Sequence, residues 1–157
     1  MSPRAAAGPL DMPTLKSIEK LLGQQHWYKT DESSGRVRYV PLEKAGAHDR
    51  YFERYWGQHR EALDTFLALF RQLHTERCEI VATLYAAWND PVLAGGTFTD
   101  ADIVREVRER WHERKERFAE ERLQRALGWM RQHGLVPAGR GRPTRDNGTD
   151  AATGEPS

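Results

Sequence analysis

The strongest periodic signal in the chain lies between His48 and His74. There Phe52, Tyr55, Trp56, His59, Leu63, Phe66, Leu67, Phe70 and Leu73 recur at spacings of three and four. Such spacing puts them on one face of a helix of roughly seven turns. It predicts one long amphipathic helix over 50–74. Gly57 is its weak point and candidate bend, because glycine costs a helix about 1 kcal/mol relative to alanine. Upstream, Leu15, Ile18, Leu21 and Leu22 form a stripe in "PTLKSIEKLLG", with Pro13 suited to a first turn and Gly23 to a stop. Between these segments, "QQHWYKTDESSGRVRYVPL" reads as a β-hairpin. Trp27, Tyr28, Val37, Tyr39 and Val40 favour strands, "DESSG" is turn chemistry, and Pro41 marks an edge or an end.

After His74 the pattern breaks into shorter helices. Thr75 caps a helix whose inward positions are Cys78, Val81, Leu84, Tyr85 and Trp88, with Ile80 at the margin, and Asn89-Asp90-Pro91 is its expected stop. Thr99 and Asp102 resemble a capping box opening a helix with Ile103, Val104, Val107 and Trp111 on its apolar side. "HERKERF" reads either as a solvated continuation of that helix or as a turn, with Phe118 returning to the core. Ala119, Leu123, Ala126, Leu127 and Met130 then share one face of a last helix, capped at Gly134, and "LVP" reads as the start of a strand. Beyond Ala138 nothing is apolar enough to build a core.

These elements give a mainly α fold: a helical domain with a small N-terminal β-hairpin. The expected organisation is a disordered 1–11, one domain over 12–137 and a flexible basic-then-polar tail over 138–157. Within the domain, 12–49 is helix plus hairpin, 50–74 the long helix and 75–137 the C-terminal half. The 157 residues suit one domain with loose ends, and no apolar run approaches the about 18 residues needed to cross a bilayer. No membrane partner is therefore expected. The single cysteine, Cys78, excludes an internal disulfide, and with no signal-like start the expected location is cytoplasmic.

Net charge is +1, which gives no global attraction to polyanions. Position changes that picture. Between Arg105 and Arg145 there are eleven arginines and Lys115 against six acidic residues. The C-terminal third is locally basic.

The order from Thr75 to Pro137 is helix, loop, capped helix, connector, helix and apolar strand. It resembles a winged helix-turn-helix domain over 75–137, and a plain helical bundle gives much the same pattern. The resemblance implies a winged-helix-like C-terminal half in which 119–133 is the recognition helix. Arg122 and Arg125 then face outward, and Glu120 and Glu121 oppose phosphates near its start. Such domains also serve as protein-docking modules. Within "GLVPAGRGRPTRDNGTD", Arg140-Gly141-Arg142-Pro143 resembles the core of an AT-hook, an extended peptide whose arginines enter the minor groove of A·T-rich DNA. The expected nucleic-acid contacts are Arg122, Arg125, Arg140, Arg142 and Arg145, with weak, salt-sensitive binding to DNA.

Arg54 and His59 fit the loose R-x4-6-H pattern of HEPN-type ribonucleases, as do Arg105 and His112. With nineteen arginines and six histidines about two such matches arise by chance, so this is the alternative reading. His74 and Cys78 share a helix face, but no second ligand pair accompanies them, so no metal and no cofactor are expected. No nucleophile elbow or phosphate loop occurs, and no catalytic residue is assigned. Phe52, Tyr55, Trp56, Phe66 and Phe70 exceed what a small hairpin covers, and mark a protein interface for a partner or a second copy. The sequence thus describes a non-catalytic protein that binds DNA, docks as an accessory subunit in a DNA-handling assembly, or acts purely as an interaction adaptor.

Overall fold

The computed structural model describes residues 8, 9, 11–111 and 115–144. It is mainly helical with one small hairpin. The expected single domain over 12–137 resolves into two compact units, Asp11–Gln72 and Leu73–Ser157 with Met1–Leu10.

In the first unit, helix α1 (Met12–Gln24) starts where the Asp11 carboxylate accepts the Thr14 amide at 3.0 Å. Strands β1 (Tyr28–Asp31) and β2 (Arg38–Pro41) pair antiparallel, with Tyr28 opposite Pro41 and Asp31 opposite Arg38. The turn uses the Asp31 carboxylate, which accepts the Ser33 amide, and Gly35 at φ +72°. Trp27 and Tyr28 pack against the His48 ring at 5.4 and 5.7 Å, and Tyr51 packs against Trp27 at 6.5 Å.

The long helix expected over 50–74 is two helices. Helix α2 (Asp49–Trp56) and helix α3 (Arg60–Arg71) are joined by a 3-10 turn at Gly57–His59. The physical reason lies in Gly57 and its neighbours. A Cβ at that position would stand 2.8 Å from the Glu53 carboxylate, which folds over the bare glycine to pair with Arg60 of the next helix. The Arg60 guanidinium in turn lies 4.6 Å over the Phe52 ring. None of the residues 11–72 is buried.

The second unit holds the core. Helix α4 (Thr75–Leu93), helix α5 (Asp100–Arg105) with its π-helical continuation Glu106–Trp111, and helix α6 (Glu120–Gln132) enclose Ile80, Leu84, Ile103, Val107, Phe118, Leu123, Leu127 and Met130. Thr99 and Asp102 form the expected capping box. Gly134, at φ +69°, closes α6 as expected. Its amide reaches the Arg131 carbonyl and the Leu135 amide the Met130 carbonyl at 2.8 Å.

Three local expectations are corrected. Helix α4 does not stop at Asn89 but runs through Pro91 to Leu93. Its cap is His74, extended and without a side-chain bond, and Thr75 is its first residue. "LVP" forms no strand among the described residues. The Leu135 amide is spent on the helix cap and Pro137 has no amide to offer a ladder.

Lys115 is the largest departure from a solvated reading of "HERKERF". Its side chain is fully buried, with the ammonium 2.6 Å from Glu79 of α4. Arg117 grips the same carboxylate at 3.0 and 3.1 Å, and lies 4.6 Å over the Phe118 ring. Residues 115–118 therefore form a turn bolted to α4. Burial holds the Lys115 ammonium below the usual lysine range, against the opposing pull of Glu79. Glu79→Gln should destabilise the protein by about 3–5 kcal/mol, because it strands a buried cation. Lys115→Met leaves Glu79 its Arg117 partner and should cost less than about 2 kcal/mol. Urea unfolding of both variants measures this, and equal costs would refute the assignment.

Candidate nucleic-acid interface

Glu76, Arg77 and Ile80 occupy the first turns of α4, and Arg122, Arg125 and Ala126 the first turns of α6. Between them Arg77, Ile80, Arg122, Arg125 and Ala126 line a cleft of about 340 Å³. Its floor is apolar, with Ile80 and Ala126 buried. Arg122 pairs with Glu76 and reaches over the Phe118 ring at 5.8 Å. Its hydrogen bond holds the Glu76 carboxyl below the usual range. Arg77 stacks 5.1 Å over the Trp129 ring. Arg125 is exposed, and neither Arg77 nor Arg125 pairs with a carboxylate among the described residues. The cleft thus offers two uncompensated guanidinium groups and a third that is neutralised.

The AT-hook-like segment is not a loose tail where it is described. Asn89, only 8% exposed, reads the backbone of Arg140 on both sides. Its amide nitrogen donates to the Arg140 carbonyl at 3.0 Å, and its oxygen accepts the Arg140 amide at 3.3 Å. Asp90 accepts the Thr144 amide at 3.0 Å and the Thr144 hydroxyl. Gly139 packs so closely that a Cβ would stand 3.0 Å from Val92. The pair read in sequence as a helix stop is a bracket for residues 51 and 54 positions away. The first residues of the expected flexible tail are therefore held on α4, with the Arg140 and Arg142 side chains exposed. Arg145 lies outside the described residues.

The expected contact set splits in two. Arg122 and Arg125 come together with Arg77, which sequence reasoning missed. Arg140 is held at the opposite end of α4 by Asn89, which lies about 18 Å along the helix from Arg77 and about 120° around its axis. Asn89 and Asp90 were also missed, because a bond to a residue 50 positions on leaves no local periodicity.

The expected protein-interface residues all lie in the first unit. Tyr55 and Trp56 are 62% and 58% exposed and Phe66 is 46% exposed. Phe52 and Phe70 are half-buried, and Phe70 stacks on Phe66 at 4.6 Å. Arg54 lies over Tyr55 and His59 beside Trp56, and no hydrogen bond joins Arg54 to His59 among the described residues. His112 of the second such match lies outside them. A larger cavity, about 520 Å³, is lined by Ala101, Val104, Arg105, Arg108, Glu109, Glu116 and Glu120. Its charges are mixed in sign, and Arg108 already faces Glu120 at 3.7 Å. Among the described residues no group of three or more His, Cys, Asp and Glu is placed to hold a metal ion, and no helix is long and apolar enough to cross a membrane.

No family model, curated protein or solved structure matches this chain.

Arg131 pairs with Asp100 and lies 4.9 Å over Trp88. Its hydrogen bond holds the Asp100 carboxyl below the usual range, as Arg122 does for Glu76. A depressed folded-state pKa stabilises the fold above the unfolded value and is lost as pH falls through the folded one. Stability to urea should therefore decline as pH falls below about 4. Arg131→Gln should flatten that decline, read by tryptophan fluorescence between pH 6 and pH 2. An unchanged acid limb would sink the assignment.

Proposed function

We propose that the protein is a non-catalytic accessory subunit of a DNA-handling assembly. In this reading it contacts nucleic acid through the arginines of its C-terminal unit and docks through the aromatic face of α2 and α3. The observation that carries it is the convergence of Arg77, Arg122 and Arg125 on an apolar-floored cleft. Guanidinium groups there suit phosphate oxygens, and Trp129 fixes the plane of Arg77. The compensation of Arg122 by Glu76 keeps the attraction modest, so binding is weak and salt-sensitive. The helix order of the C-terminal unit suits a winged-helix module and a plain helical bundle alike, and the strand the former expects at 135–137 is absent among the described residues.

Duplex retention at low salt tests this reading. Arg77→Ala and Arg125→Ala should each reduce the slope of log K against log salt by about 1. Glu76→Gln should strengthen retention, since it frees Arg122. No retention by any of these proteins at low salt refutes the nucleic-acid half.

The second reading, a pure interaction adaptor, is favoured by the first unit. It buries no residue yet exposes Tyr55, Trp56, Leu63, Phe66 and Leu67. Four acidic and four basic residues are spread over 49–71, so the rim of that face is self-complementary and fits a second copy of the chain. Sedimentation should give a concentration-dependent dimer that Phe66→Glu abolishes. A monomer at every concentration removes self-association.

A further inference from the structure

We propose that Asn89 and Asp90 form a latch that keeps the Arg140–Pro143 segment out of the DNA minor groove until it is released. The inference rests on the nucleic-acid reading above and adds an autoinhibitory contact to it. A groove-bound peptide of this kind must run extended, with its backbone against the groove floor. The latched segment meets neither condition. Gly139 and Gly141 have φ of +65° and +90°, so the path turns at both glycines flanking Arg140. Both main-chain polar groups of Arg140 are occupied by Asn89. Thr144, just past Pro143, is held at its amide and its hydroxyl by the Asp90 carboxylate. Val92 closes the near side against Gly139.

The same arrangement leaves the two guanidinium groups in solvent. They attract phosphates before release, while insertion requires the four hydrogen bonds to open. A ligand that binds only the released form sees an affinity reduced by the fraction released. The latch therefore sets apparent affinity without touching the DNA.

The test uses the full-length chain and an A·T-rich duplex at one low salt concentration. Asn89→Ala/Asp90→Ala should bind at least about tenfold tighter than the parent, and Arg140→Ala/Arg142→Ala in that background should remove the gain. Thr144→Val, which deletes one latch bond and leaves α4 intact, should give a smaller gain of the same sign. Hydrogen exchange at the Arg140 and Thr144 amides should speed up in the latch variant, while amides of Leu84 and Leu127 stay slow and report an intact core. Weaker binding by the latch variant would mean a pre-organised loop and overturn the proposal. Unchanged duplex binding, with Arg77→Ala still weakening it, overturns the latch and leaves the nucleic-acid reading standing. No duplex binding by any variant overturns both.

Discussion

Helix α4 continues through Pro91, and the basic features of the C-terminal unit depend on that continuation. A proline inside a helix removes one backbone donor and crowds the preceding turn, at a cost of about 3 kcal/mol. The added turn must be held by something else. The Ala94 amide reaches the Asp90 carbonyl and the Gly96 amide the Pro91 carbonyl, which closes the helix end. Asn89 and Asp90 find partners in the returning chain, so two polar side chains near the helix end are satisfied instead of competing with its backbone. Val92 gains a packing surface at Gly139. The irregular end of α4 and the shape of the segment after α6 are thus one structural decision.

The other end of α4 is organised by charge. Glu79 binds two cations from the connector before α6, and Glu76 binds Arg122 from α6 itself. These carboxylates fix where α6 begins relative to α4, and so fix the cleft that Arg77 and Arg125 share. They also spend much of the positive charge that composition assigns to this region. A local excess of arginine is therefore a poor guide to surface potential here. Seven of the described cations between 105 and 131 face a carboxylate across elements or one turn away.

Much of this fold was legible in the sequence because its signals are local. The hairpin is written in β-branched and aromatic residues around the turn from Asp31 to Gly35. The capping box at Thr99 and the glycine stop at Gly134 each need only four or five consecutive residues. Gly57 was visible as a weak point, though not as a full break. What was illegible depends on distant partners. Lys115 looks like one more charge in a charged run, and only a carboxylate 36 positions upstream makes its burial tolerable. Asn89-Asp90-Pro91 has the composition of a stop, and its use as a bracket depends on Arg140 and Thr144. Of the expected contact residues, Arg122 and Arg125 do share a cleft, while Arg140 and Arg142 belong to a separate feature on another side of the same helix.

The two units obtain their order from different physics, which bears on what each can do. The C-terminal unit buries a continuous apolar core and adds ion pairs at its rim, so its surface can hold fixed geometries such as the cleft and the bracket. The first unit buries nothing fully. Its order comes from a two-stranded ribbon, an aromatic cluster around His48 and the Arg60 contacts across Gly57. A two-stranded hairpin with half-covered helices is marginal by itself, since stability in small folds follows buried apolar area. Covering the Tyr55, Trp56, Phe66 and Leu67 face would contribute the burial that the unit lacks. Docking through that face would then couple binding to local stability, whereas contacts at the arginine cleft would draw on a framework already in place.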